Sequence, residues 1–245
     1  MKTLSRSSAS IQTRVYVWEL PVRVAHWLIM LALVVLSVTG YYIYHPFVIS
    51  IGRASYVMGT MRFTHVVAGS VFLAFVLLRI YWMFRGNRWA HWDQFVPTRR
   101  ERWKDLIETT RFYSFLRWRP VPNIGHNALA GAAYSVVYAL ALVEILTGLA
   151  LYSQILGNPS LAFLVGWLPR LIDIQYLREI HFLVMFAFWM FFLHHIYSSM
   201  LISAEEKMGV MESIFSGYKF VPDDLRGHMV SAAKTDQETP SDLLS

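Results

Sequence analysis

No Lys, Arg, Asp or Glu occurs between Arg23 and Arg53, and none between Glu179 and Glu205. Either gap exceeds the roughly 20 residues that an α-helix needs to cross a bilayer. A third apolar run covers 63–78 and resumes after Arg79 through 81–84; a fourth covers about 129–152, broken only by Glu144. The expected fold is an all-α membrane protein. It is a four-transmembrane-helix bundle with helices at about 24–44, 63–84, 128–152 and 179–203. Residues 1–220 form one transmembrane domain in this reading, and 221–245 a polar, flexible tail. Trp18, Trp27, Tyr41, Tyr42, Tyr81, Trp82, Tyr152 and Tyr197 flank the runs, as aromatic belts at a lipid interface do.

Charge orients the bundle. Nine Lys or Arg fall in the loop 85–119 and four before Val24, whereas the other two loops hold two each: Arg53 and Arg62, then Arg170 and Arg178. The positive-inside bias therefore places both termini and the 85–119 loop in the cytoplasm. The net charge of +6 sets topology and meets anionic lipid headgroups; no nucleic-acid partner is expected. The chain has no cysteine, which excludes disulfides, thiolate-held iron–sulfur clusters and covalent C-x-x-C-H haem attachment. The first apolar run is too long for a signal-peptide core and is read as a helix of the mature protein.

Between the spans the pattern is less regular. Residues 1–15 are polar and read as loose; 99–118 mixes charge and aromatics at near-helical spacing and suits the membrane surface. PVPNIGH at 120–126 reads as a turn, and LAFLVGWL within 153–178 is too short to span. No internal repeat is evident.

Nine histidines then become the centre of interest: His26, His45, His65, His91, His126, His181, His194, His195 and His228. Intramembrane imidazole is costly unless paired or coordinated, and it is the ordinary axial ligand of haem iron. The 14 steps from His181 to His195 turn a helix by about 1400°, some 40° short of four turns, and rise about 21 Å. These two share one face, one near each membrane surface. His194 falls about 140° away on another face. Helix direction puts His26 at the cytoplasmic end of the first span and His65 at the outer end of the second. Matching by depth gives His65 with His181 outside and His26 with His195 inside, a diheme b arrangement in which these four are the axial iron ligands. One such histidine alone would equally suit hydrogen-bonded packing; four that match in depth favour coordination. Zinc is less natural, because two histidines per level do not close a site.

The remaining candidates keep two readings. His45 reads as interfacial, His91 and His228 as solvated, and His126 as a turn or cap residue rather than part of a proton path. Gly40, Gly69 and Gly148, with Ala68 and Thr147, admit close approach of either a macrocycle or a neighbouring helix. Glu144 reads as neutral and hydrogen-bonded in preference to a proton relay.

Several segments carry a resemblance: VYVWELPVRVAHW (15–27), LSVTGYYI (36–43), MGTMRFTHVVAGSVF (58–72), LLRIYWMFRGN (77–87), GHNALA (125–130), ILTGLALY (145–152) and SGYKF (216–220), with the His181/His195 pair. Together they resemble the b-type cytochrome subunit of membrane-bound nickel–iron hydrogenases. Ala128 departs from that family's GHNPLA. The resemblance implies a location in the bacterial cytoplasmic (inner) membrane and two haem b. It also implies partnership with the hydrogenase small (iron–sulfur) and large (nickel–iron) subunits, and electron delivery to menaquinone or ubiquinone. The chain would anchor the heterodimer on the outer face without itself activating hydrogen. Inward electron flow places the quinone pocket at the cytoplasmic side, with Arg23, Trp27, His194, Tyr197 and Ser198 as candidates; Arg23 also reads as a topology-setting charge. Two alternatives stay open. One is a diheme cytochrome b of a formate dehydrogenase, thiosulfate reductase or other quinone-linked oxidoreductase. The other is a histidine-dependent metal or proton transporter.

Overall fold

The computed structural model describes residues 12–47, 56–121 and 123–223. A strand β1 (Gln12–Tyr16) leads into α1 (Leu20–Tyr44) and α2 (Val57–Arg85). Next come α3 (Arg100–Tyr113) and α4 (Ala128–Leu156), then the short helices α5 (Pro159–Val165) and α6 (Leu168–Leu171). The chain closes with α7 (Ile174–Glu206), α8 (Val210–Ser216) and a strand β2 (Tyr218–Pro222). Four helices (α1, α2, α4 and α7) are long and apolar enough to cross a membrane. At 1.5 Å per residue the 25 residues of α1 extend about 37 Å, enough for the hydrocarbon core and part of both interfaces.

Local chemistry sets the helix ends. Pro21 occupies the first turn of α1, where its missing N–H costs nothing. Asn127 caps α4 by accepting from the Ala130 amide, and Asp173 caps α7 by accepting from the Gln175 amide. Gly157 stops α4 in the left-handed conformation at φ 63°. The helices overrun the apolar stretches: α2 starts at Val57 and α7 runs from Ile174 to Glu206. Hydropathy marks the lipid slab, whereas helical hydrogen bonding continues into the interface on both sides of it.

Helix α1 packs along α2, and α4 against α7. A central layer of Ala32, Phe72, Val76, Ala141 and Phe188 joins all four, with the Phe72 and Phe188 rings edge-on at 6.3 Å. Leu31, Val38, Leu77, Val136 and Met190 stay exposed on the outer faces, as lipid-facing residues should. Cross-braces are polar: Trp189 donates to Ser37 Oγ at 3.0 Å, and Tyr44 donates to Glu179 at 3.1 Å while stacking on Phe182.

The fold is mostly helical rather than wholly so. Strand β1 pairs antiparallel with β2, from Gln12 opposite Pro222 to Tyr16 opposite Tyr218. Residues 12–15, expected to be loose, and Val221 and Pro222, expected in the tail, are therefore paired. Their ladder needs partners some two hundred residues apart, which local pattern does not reveal. The ribbon puts both ends of the described chain on one side of the bundle, here termed the ribbon side. Beneath it lies a cluster of Val17, Trp18, Val22, Ala90, Ile124, Met208 and Val221. Burying each large apolar member stabilises the fold by about 1.5–3 kcal/mol. Trp18 and Tyr42 are buried, at 6% and 4% exposure, and so belong to the core rather than to an aromatic belt. Arg53, His228, residues 1–11 and the tail beyond 223 lie outside the described residues.

Candidate functional site

Helices α1 and α2 each contribute one histidine, and α7 two, to a pair of levels. On the side away from the ribbon, His65 of α2 faces His181 of α7, ring centres 6.2 Å apart at 70°. On the ribbon side His26 of α1 faces His195 of α7, centres 6.3 Å apart at 53°. The apolar layer of Phe72 and Phe188 separates the two levels.

These distances decide what can lie between the rings. A direct hydrogen bond between two imidazoles would bring their centres to about 5 Å. An imidazole nitrogen binds a metal at about 2.0 Å, so two rings sharing one ion stand with their centres about 6.3 Å apart. Both pairs match the second spacing and can take a six-coordinate iron between them. Among the described residues no group of three or more His, Cys, Asp or Glu could hold a bare ion.

The far pair is tightly cradled. Thr39 Oγ1 lies 2.9 Å from His65 Nδ1, and Thr147 Oγ1 lies 2.9 Å from His181 Nδ1. A glycine follows each threonine. A Cβ on Gly40 would sit 3.1 Å from His65 Cε1, and one on Gly148 would sit 3.0 Å from His181 Cε1. These two glycines give room to the imidazoles. A Cβ on Gly69 would meet only Leu36, at an ordinary 3.9 Å. Glu144 Oε2 is buried 3.4 Å from His181 Nδ1, without a hydrogen-bond partner among the described residues.

The ribbon-side pair rests on aromatics. Phe191 stacks on His195 with centres 5.5 Å apart at 16°, and Trp27 stands edge-on to His26 at 5.2 Å. Tyr134 Oη is 3.4 Å from His195 Nδ1, a long contact, while His26 Nδ1 is buried with no hydrogen-bond partner among the described residues. A small cleft opens beside His195, lined in part by Tyr113, Asn127, Tyr134, His194 and Ser198. His194, one residue from a paired histidine, meets Tyr113 instead, at 6.2 Å between ring centres. Of the five expected quinone-pocket residues only His194 and Ser198 line this cleft. Arg23 donates to the Phe215 carbonyl, Trp27 packs on the Phe215 ring, and Tyr197 is exposed.

Polar residues also collect on the ribbon side. Glu19 accepts from Trp82 Nε1 at 2.8 Å and from the Asn87 amide at 2.7 Å, tying the start of α1 to the end of α2. Arg79, the charge within the second span, is buried and donates to the Ala90 carbonyl at 3.3 Å, which keeps it out of lipid. His126 sits just before the α4 cap, between Trp18, Phe95 and Tyr134. Burial, then the charges of Arg79, Lys219 and Arg102, hold its pKa well below the usual value and keep it neutral. Lys219 of β2 is 3% exposed, and burial lowers its pKa to about 8 against the opposing pull of Glu206.

A family model of the prokaryotic cytochrome b561 matches residues 17–217, which span both histidine levels. The chain belongs to the prokaryotic cytochrome b561 family. It is thus a multi-pass cytochrome of the bacterial inner membrane, and the family's cofactor is b-type haem. One relative of this cytochrome, from Rhodobacter capsulatus, is described as a probable Ni/Fe-hydrogenase B-type cytochrome subunit. It is 38% identical over 221 residues, covering 87% of this chain and 84% of its own. A relative of the same description from Bradyrhizobium diazoefficiens is 37% identical over 209 residues, covering 83% and 85%. A probable Ni/Fe-hydrogenase 1 B-type cytochrome subunit from Escherichia coli K12 is 44% identical over 142 residues, 57% of this chain and 60% of its own.

Residue types alone did not single out Thr39, because a helix hydroxyl is unremarkable. The signal was present as two threonine–glycine steps, 39–40 and 147–148. Tyr134 and Glu19 likewise acquire their meaning only from tertiary neighbours.

Proposed function

We propose that this cytochrome is the transmembrane electron-transfer subunit of a nickel–iron hydrogenase complex. In this reading His65 with His181 and His26 with His195 hold two b haems. The chain anchors the hydrogenase heterodimer on the outer face and carries electrons from its iron–sulfur subunit to membrane quinone. The carrying observation is the pair of histidine levels, each with its ring centres spaced for one shared iron. The relatives' descriptions support the hydrogenase partner. The nine basic residues of the 85–119 loop support a cytoplasmic ribbon side. The cleft at His194 and Ser198, beside the cytoplasmic pair, suits a quinone that takes its protons from the cytoplasm.

Bound haem supplies the reversible one-electron chemistry. The chain's own work is to present four neutral imidazole nitrogens at two depths, to keep the layer between them dry, and to fix ring orientation. Phe72, Phe188 and Phe191 exclude water. A low-polarity surround favours the less charged state of a redox centre.

Purified protein is expected to show a b-type α band on reduction and two haems per chain. Absence of that band would end the reading. His195→Ala should lose one haem while His194→Ala keeps both; the reverse would break the ligand assignment. Copurification with a nickel-containing subunit tests the partner separately from the haems.

A further inference from the structure

The far histidine pair is supported by a repeated device. In α1, Thr39 Oγ1 lies 2.7 Å from the Val35 carbonyl of its own helix, and in α4 Thr147 Oγ1 lies 2.8 Å from the Val143 carbonyl. A hydroxyl has a single proton, and a carbonyl can only accept. Each threonine therefore donates backward along its helix and turns a lone pair toward the imidazole. The contact at 2.9 Å then runs in one direction, with Nδ1–H of His65 and of His181 donating to threonine. Glu144 Oε2 stands farther from His181 Nδ1, at 3.4 Å, so the threonine hydroxyl is the nearer acceptor in both cradles. The glycine after each threonine lets the ring approach: an added Cβ would stand 3.1 Å from His65 and 3.0 Å from His181. The same two-residue step thus occurs on α1 toward α2 and on α4 toward α7, with Glu144 added only on the His181 half.

We propose that Thr39–Gly40 and Thr147–Gly148 act as paired positioning clamps, which fix His65 and His181 as Nδ1–H tautomers and lower the reduction potential of the far haem selectively. This rests on the assignment of two b haems made above. An imidazole that donates Nδ1–H to an oxygen is a stronger electron donor through Nε2, and a stronger donor favours ferric over ferrous iron. The ribbon-side pair has no such clamp: His26 Nδ1 has no hydrogen-bond partner among the described residues, and His195 has only the 3.4 Å contact to Tyr134.

The test is redox titration of the purified two-haem protein, with the far-haem signal assigned by its loss in His65→Ala. Thr39→Val and Thr147→Val keep the shape and delete the acceptor. Each should raise the far-haem potential by a three- to tenfold change in the reduced-to-oxidised ratio, at most about 59 mV for one electron. The ribbon-side haem should stay in place and unshifted. Thr39→Ser and Thr147→Ser restore the hydroxyl and should restore the potential. If a valine variant sheds the far haem alone and the serine variant regains it, the clamp stands. An unmoved far haem, or an equal change at both haems, overturns the clamp while leaving the two-haem assignment intact. A wild-type preparation without b haem sinks both.

Discussion

His65 and His181 each meet a threonine hydroxyl at 2.9 Å and a glycine that leaves room for the ring. His26 and His195 have nearly the same separation, 6.3 Å against 6.2 Å, yet rest on Trp27 and Phe191 with one long polar contact between them. Equal spacing with unequal support separates two requirements. Spacing decides what the rings can hold, and it has to be met at both levels. Hydrogen bonding to the second ring nitrogen decides orientation and electron donation, and it is met at one. The cradle beside the cleft is aromatic, whereas the other is built from helix backbone and a short hydroxyl side chain.

Variants can break or sharpen this contrast. On the proposed two-haem reading, the largest effect is expected from His26, His65, His181 and His195. His65→Ala or His181→Ala should take the preparation from two haems per chain to one, and His26→Ala or His195→Ala should remove the other one. Haem quantification with spectral deconvolution checks this, and loss of both haems from a single change would merge the two sites into one. Next comes buried charge, which marks the ribbon side. Lys219 has a folded pKa of about 8 against an ordinary 10.5, so the folded form releases its proton first. Stability should therefore rise with pH between those values by up to about 3 kcal/mol and be lost again as the pH falls through them. Thermal melts at the two ends of that window should show the dependence in the parent and not in Lys219→Met. Third, Gly40→Ala and Gly148→Ala should weaken haem binding at the far level by about 10–100-fold, through displacement of the imidazoles. Gly69→Ala, where a Cβ makes only ordinary contact with Leu36 at 3.9 Å, should leave both haems bound. Equal tolerance at all three glycines would remove the steric half of the far-side account. The smallest effect belongs to the surface: Glu108 pairs with Arg111 and Arg117 in partial exposure. Glu108→Gln should change stability by less than about 1 kcal/mol and neither haem, as measured by the same melts and spectra.

The unequal legibility of the two levels has a physical cause. Charge-free runs locate lipid-spanning segments because a charge in hydrocarbon is expensive, so four helices could be read from residue type alone. Histidine depth follows from helix direction, and the rings of His26 and His195, and of His65 and His181, do face each other. Hydrogen-bond partners across helices leave no such trace. Thr39 and Ser37 carry the same hydroxyl on different faces of α1, and Ser37 braces Trp189 instead. The ribbon was hidden for another reason. Its strands are five residues each and find each other from opposite ends of the chain. Trp18 and Tyr42 were misplaced because an aromatic at a helix end suits an interface and a core equally. Arg23 and Trp27, grouped with His194 by depth, turn toward Phe215 because α8 folds back beneath α1.

The ribbon also dictates a timetable for biogenesis. Thr13 waits for a partner 210 residues downstream, since its hydroxyl bonds Asp223. At 5–20 residues per second the ribosome needs about 10–40 s to deliver that partner. During this interval β1 is an unpaired edge at the membrane surface, open to proteases and to wrong strands. Sealing of the ribbon therefore waits for the last strand to emerge. A nascent chain cut short after α7 could insert all four spans and still present an unsealed floor beneath His26 and His195, a defect that quality-control proteases can recognise before any partner subunit docks.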